Sequence, residues 1–208
     1  MVRPPRIRPP SRCRFIRAPQ YRRLLLATVA GSVRSFVALG LPGPNLAALE
    51  RHLAECAREA PGYRWVEPDS LHLTLRFLGN LEPEALERVR GELAAVRREP
   101  FRLALDGRGT FGPRSAPRVV WIGVSEGLDP CAALAARVES ACERAGLEPD
   151  PRPFRAHVTL ARARREGERL PPLPEPPALA PWTVEDFALY ESRLRQQPRY
   201  IALERYAL

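Results

Sequence analysis

One short pattern occurs twice in the chain. His72-Leu73-Thr74-Leu75 and His157-Val158-Thr159-Leu160 both read His-x-Thr-Leu, 85 residues apart, and two of only three histidines open them. In the first copy Leu71, Leu73, Leu75 and Phe77 alternate with Ser70, His72, Thr74 and Arg76, the two-residue period of a strand with one apolar and one polar face. The second copy puts Ala156, Val158 and Leu160 on one face and His157 and Thr159 on the other. One such pattern is merely a polar strand face. Two in the same phase predict two strands that offer an imidazole and a hydroxyl each to a shared cleft.

The 208 residues suit one domain, divided into two lobes, with ample length for a core. The net charge of +9 is unevenly spread. Residues 1–33 carry eight arginines and no acid, which leaves 25 basic against 24 acidic residues in 34–208. The body of the chain is nearly neutral, so charge alone predicts no general grip on nucleic acid. Every basic residue is arginine. Without lysine there is no phosphate-loop lysine, no Schiff base and no lysine-adenylate of the kind ATP-dependent ligases form. Arginine still suits phosphate, because its planar fork donates two parallel hydrogen bonds. The cysteines at 13, 56, 131 and 142 show no C-x-x-C and no zinc spacing, which predicts reduced thiols, a cytoplasmic setting and no metal. No apolar run approaches ~18 residues, so no membrane span is expected.

Residues 1–33 are rich in arginine and proline and then pass through Leu24–Ala30. They resemble a signal peptide, but the apolar run is short and a well-patterned strand follows at once. A disordered leader or an upstream mis-start ahead of Val33 is the expectation, with the functional domain at 34–208. Strand Ser35–Leu39 precedes a helix capped by Asn45 that runs to about Ala60 on a stripe of Leu46, Leu49, Leu53 and Cys56. On that helix His52 reads as a surface or half-buried residue. A short strand at Tyr63–Val66 leads into the first motif. Pro83 opens a helix to about Arg98. Strands are expected at Phe101–Asp106 and Arg118–Val124. Between them Gly107-Arg108-Gly109-Thr110-Phe111-Gly112 matches G-x-G-x-x-G, yet no helix follows to hold a pyrophosphate, so it is rejected as a dinucleotide site. Asp129-Pro130 starts a third helix, as cap and first-turn proline, ending near Ala145. Residues 164–181 read as a long loop, and Thr183–Glu191 and Arg199–Leu208 as two closing strands. The sum is an α+β fold of two related lobes that meet at the His-Thr strands.

Two imidazoles in one cleft can divide acid–base work, one accepting a proton while the other donates. Phosphoester cleavage suits them: one activates the attacking water, the other protonates the departing oxygen. Thr74 and Thr159 are spaced to donate hydrogen bonds to the charge that builds on the non-bridging oxygens. The sequence does not say which histidine is acid and which is base.

With these residues the chain resembles the two-histidine phosphoesterase superfamily, specifically the RNA 2′,3′-cyclic phosphodiesterases also known as 2′-5′ RNA ligases. The resemblance is carried by Phe36–Leu39 with Leu41-Pro42, Arg64–Val66, His72–Gly79, Arg118–Trp121, Pro153–Arg162 and Leu189-Tyr190, in order over residues 34–208. It implies a bilobal α+β fold, two pseudo-symmetric lobes of antiparallel sheet with helices outside and a central cleft. It implies cofactor-free, metal-independent opening of a terminal 2′,3′-cyclic phosphate to a 2′-phosphate, with His72 as proton donor and His157 as acceptor. ATP-independent 2′-5′ joining of RNA ends occurs in some members. The expected partners are RNA ends or nucleotides bearing the cyclic phosphate, and the expected state is a monomer. Beyond the four motif residues, Arg76 and Arg155 share the histidine faces and are candidates for phosphate, while Arg162 falls out of phase unless the strand is irregular. Phe154 and Tyr190 are candidates to stack on a base or ribose, and Trp121 reads as core. The alternatives are a related enzyme for another cyclic or small nucleotide, and an RNA-end-binding module without turnover.

Overall fold

The computed structural model describes residues 31–193 and 196–208. Its elements are β1 (Val33–Gly40), α1 (Gly43–Glu59), β2 (Tyr63–Trp65), a single 3₁₀ turn (Pro68–Ser70), β3 (His72–Leu81), α2 (Pro83–Leu93), β4 (Phe101–Phe111), β5 (Val119–Glu126), α3 (Leu128–Arg144), β6 (His157–Ala163), β7 (Trp182–Val184), β8 (Asp186–Ser192) and β9 (Tyr200–Ala207). The expected order holds through β6. The expected leader lies, up to residue 30, outside the described residues. The stretch read as one closing strand breaks at Glu185 into β7 and β8, which pair with β4 and β1 respectively.

The strands follow the order β7-β4-β5-β6-β3-β1-β8-β9, with β2 added on β6, and every pairing is antiparallel. The two motif strands are central neighbours, each backed by three further strands. The fold is therefore α+β with two pseudo-symmetric lobes, and β1–α1–β2–β3 in one corresponds to β5–α3–loop–β6 in the other.

Alternation along the strands and apolar stripes along the helices make the core. Leu73 of β3 and Val158 and Leu160 of β6 are buried with Val37, Leu39, Val120 and Ile122 of their neighbours. Leu49, Leu53 and Cys56 of α1, Val89 and Leu93 of α2, and Leu134, Val138 and Cys142 of α3 close over them. Each large aliphatic side chain contributes roughly 1.5–3 kcal/mol by leaving water. Local chemistry departs from the sequence reading at three places. Asn45 does not cap α1, because Pro44 opens the helix earlier; its buried amide instead bonds Ala180 both ways, at 2.9 and 3.1 Å, and ties the long 164–181 loop to α1. Asp129 sits inside the first turn of α3 behind Gly127, where its charge favours the helix dipole without capping. His52 is buried, not at the surface, with Nε2 3.4 Å from Cys56 Sγ.

The register shifts matter most. β1 pairs Val37 with Arg76 and then Ala38 with Thr74, so Leu75 is an extra residue in β3. β5 pairs Val120 with Ala161 and then Trp121 with Thr159, so Leu160 is an extra residue in β6. Each motif thus ends in a bulge at its leucine, and a bulge inverts the faces of the side chains that follow. Arg76 and Ala161 turn inward and are buried, while Phe77 and Arg162 turn outward and are exposed. This corrects two expectations: Arg76 does not share the His72 face, and Phe77 is not part of the core.

Candidate active site

β3 and β6 pair at Leu73 and Val158, both buried. In that register His72 stands across from Thr159, and Thr74 across from His157. Because Leu73 and Val158 face the core, the four polar side chains leave from the opposite face, and all are half-buried. Cα atoms across such a ladder lie ~4.5–5.5 Å apart, so two imidazoles and two hydroxyls occupy one small patch. On its outer side each histidine is paired directly with a glycine, Gly40 beside His72 and Gly123 beside His157, so its immediate cross-strand partner adds no side chain.

The rings are oriented by the backbone. Nδ1 of His72 lies 2.8 Å from the Ser70 carbonyl, and Nδ1 of His157 lies 2.6 Å from the Arg155 carbonyl, the same two-residue reach in both. A carbonyl only accepts, so Nδ1 carries the hydrogen and Nε2 is left free for proton transfer. Burial holds the His72 pKa down at about 4, against the opposing pull of the Ser70 carbonyl, and the charge of Arg162 and the second histidine lower it further. Burial also lowers His157, partly offset by the Arg155 carbonyl, with Arg162 acting in the same direction as burial. Both shifts favour the neutral ring at pH 7. A bound phosphate anion opposes these effects and favours one imidazolium.

Aromatic rings wall both histidines. His72 lies 4.7 Å from the Phe36 ring and 5.2 Å, edge on, from Tyr200. His157 lies 4.9 Å from Phe111, perpendicular to it, and 6.3 Å from Trp121. Trp121 is paired with Thr159 on the cleft face, which corrects its reading as a core residue. Its indole rests on Gly109, where a Cβ would come within 2.1 Å. The G-x-G-x-x-G run is thus a strand feature: Gly107, at φ +71°, fills a register shift in β4, and Gly109 seats the indole.

The remaining candidates divide. Tyr190 stacks behind Phe36 at 5.2 Å, one ring removed from His72. Arg155 is exposed, with its guanidinium 5.9 Å from the Phe111 ring centre. Phe154 is half-buried and packs against the core. Arg162 comes onto the cleft face through the Leu160 bulge. Arg76 is only 7% exposed and engages carboxylates behind the sheet, Glu139 at 2.8 Å and Asp150 at 3.3 Å, so it does not reach the cleft. The sequence reading missed Phe36, Phe111 and Tyr200; only Phe36 had a signal, since it shares the phase of Ala38 and Gly40. Among the described residues no three His, Cys, Asp or Glu side chains gather as metal ligands, and no helix is long and apolar enough to cross a membrane.

Comparison with known proteins identifies the family. A family model described as LigT-like phosphoesterase matches residues 39–121 and again 122–200, two successive matches that together span most of the chain. RNA 2′,3′-cyclic phosphodiesterase of Thermus thermophilus is 35% identical over 184 residues, covering 85% of this chain and 90% of that protein. The enzyme of the same name from Geobacillus stearothermophilus is 34% identical over 83% of this chain, but the match spans 56% of its own length. The chain spans 55–59% of the curated relatives from Archaeoglobus fulgidus, Aeropyrum pernix and Aquifex aeolicus as well. Among solved structures, E. coli LigT complexed with 3′-AMP superposes with a TM-score of 0.71 at 32% identity, covering 85% of this chain and 98% of that one.

Proposed function

Because the chain belongs to the LigT-like phosphoesterase family, we propose that it hydrolyses 2′,3′-cyclic phosphate ends of RNA to 2′-phosphates with His72 and His157 as proton carriers. The carrying observation is the matched pair of imidazoles, each held through Nδ1 by the carbonyl two residues before it and leaving Nε2 free on one face. His157 accepts a proton from water as the water oxygen attacks phosphorus. The bond from phosphorus to O3′ breaks, and His72 delivers a proton to that oxygen. The two proton transfers balance, and solvent exchange resets the pair. Charge on the non-bridging oxygens is met by the hydroxyls of Thr74 and Thr159. Positioned acid–base groups of this kind contribute ~10²–10⁴-fold each, and a single aimed donor ~10²–10³-fold. A 5′-hydroxyl in place of water gives a 2′-5′ linkage by the same steps, without ATP. The protein works on RNA ends as a cytoplasmic monomer.

The test is hydrolysis of an RNA oligonucleotide ending in a 2′,3′-cyclic phosphate, in EDTA, with the product phosphate mapped. Turnover to a 2′-phosphate, lost in His72→Ala and His157→Ala, is expected. Absence of turnover by the wild type, or its abolition by EDTA, would overturn the reading.

A further inference from the structure

A pocket of about 250 Å³ opens on the His72 side of the pair. Ser70 and Tyr200, both in contact with His72, form its inner wall, and Arg162 enters it from β6. Four guanidiniums line it, from Arg64, Arg162, Arg193 and Arg199, against one carboxylate, Glu67. Arg193 is paired with Glu191 at 3.0 Å. Arg64, Arg162 and Arg199 have no carboxylate partner among the described residues. Arg64 and Arg162 are moreover direct cross-strand partners in the β2–β6 ladder. Like charges directly opposite are destabilising in a sheet. Arg199 adds a buried Nε that meets no acceptor. Partial desolvation at the pocket wall first, then the nearby Arg64 and Arg199 against the opposing effect of Tyr200, hold the Arg162 pKa below its ordinary value. These groups are gathered, mutually repelling and without a carboxylate partner, the Arg199 guanidinium lying over the Tyr200 ring at 5.7 Å, which is an arrangement suited to an anion.

We infer that this pocket takes the phosphodiester on the 5′ side of the terminal nucleotide, making an oligonucleotide the preferred substrate over a mononucleotide cyclic phosphate. The inference rests on the cyclic phosphodiesterase reading and deepens it. In that reaction the leaving oxygen stays on the same ribose, so hydrolysis releases no chain on the 3′ side. The substrate's remaining nearby anion is the linkage upstream. Arginine forks suit a phosphodiester's two free oxygens better than a point charge would. The position next to Ser70 and Tyr200 puts the site on the His72 side, where the departing O3′ and its ribose lie.

The experiment compares kcat/KM for adenosine 2′,3′-cyclic phosphate, the dinucleotide ApA ending in a cyclic phosphate, and the same dinucleotide with a neutral methylphosphonate linkage. The charged dinucleotide is expected to exceed the mononucleotide by ~10–100-fold, from one or two charge-assisted hydrogen bonds. The neutral linkage loses that advantage. Arg64→Ala and Arg199→Ala shrink the ratio to within about threefold, and Arg64→Lys keeps part of it through its charge. Circular dichroism of each variant separates this from misfolding. Equal rates for mononucleotide and dinucleotide, an undiminished advantage for the neutral linkage, or a ratio preserved in the folded arginine variants would each overturn the inference while leaving the catalytic reading intact. No hydrolysis of any substrate by the wild type would instead remove the catalytic reading itself. A 5′-hydroxyl ApA whose joining, but not the hydrolysis ratio, depends on Arg64 would assign the pocket to the incoming strand and overturn the upstream assignment.

Discussion

The segments that lead into the two motif strands meet the opposite lobe by different means. Ahead of β3, Tyr63, Arg64 and Trp65 pair with Ala163, Arg162 and Ala161 of β6, and the Val66 N–H extends the ladder to the Leu160 carbonyl at 2.9 Å. Ahead of β6 the matching residues lie 85 positions on, and they form no strand. Pro151 stands where Val66 donates, and a proline has no N–H to give. There Arg76, the counterpart of Ala161, reaches across with its side chain. It donates to the Glu148 carbonyl and pairs with Asp150, which occupies the position of Trp65. One lobe is tied by backbone and the other by a buried guanidinium. The outward residue after each bulge differs in the same spirit: Phe77 on β3 against Arg162 on β6. The pseudo-symmetry preserves the histidine and threonine geometry but not the walls around it, so two equivalent histidines have unequal surroundings.

The largest effects test whether the two halves are chemically equal. His72→Ala and His157→Ala are each expected to cut kcat for cyclic phosphate hydrolysis by ~10²–10⁴. The double variant should be little worse than the poorer single one, since the pair acts as a unit. Thr74→Val and Thr159→Val should each lower kcat by ~10²–10³, measured on the same substrate. A ratio far from one between the two threonine variants would show that a single oxyanion donor dominates. The two ties can be broken separately. Arg76→Ala removes the guanidinium from Glu139 and one of the two arginine partners of Asp150, and should destabilise the fold by ~1.5–3 kcal/mol in urea unfolding. Arg64→Ala, on the backbone-tied side, should stay within ~0.5 kcal/mol.

The smallest effect concerns pH and stability. The folded-state values of His72 and His157 are depressed, so the unfolded chain binds more protons below pH 6.5. Their contribution is complete above 6.5 and, for His72, declines as pH falls toward about 4. Asp150 is held at about 2, first by Arg152, so its contribution persists until the pH drops below its unfolded value of ~3.9 and is lost as pH falls through about 2. Unfolding free energy should therefore be flat from pH 7 to 8 and fall below 6.5, and His72→Ala should flatten the slope between pH 6.5 and 4.

The sequence carried the architecture because periodicity is a local property. Element order through β6, the helix stripes and the phase of His72, Thr74, His157 and Thr159 all follow from side-chain alternation. What it did not carry was the pair of bulges. A one-residue insertion in a ladder leaves no trace in composition, since Leu75 and Leu160 look like ordinary core positions. The residues just past them change face: Arg76 and Phe77 take the reverse of what regular alternation implies, and Arg162 reaches the cleft through the irregularity its candidacy required. Phe111 and Tyr200 were illegible for another reason. They reach the histidines through strand neighbours far away in the chain, and only the sheet order brings them there. Asn45 shows a third limit, since a good capping residue was overridden by a proline one position earlier and a partner 135 residues away.

The contact between Trp121 and His157 makes the protein its own optical probe. A protonated imidazole near an excited indole accepts an electron and quenches its emission, whereas a neutral one does so weakly. With the rings 6.3 Å apart, the charge state of one of the two histidines is written into the ultraviolet fluorescence of the unlabelled chain. Stopped-flow emission during a single turnover can then follow the proton on His157 in real time, with Trp121→Phe as the dark control against the signals of Trp65 and Trp182.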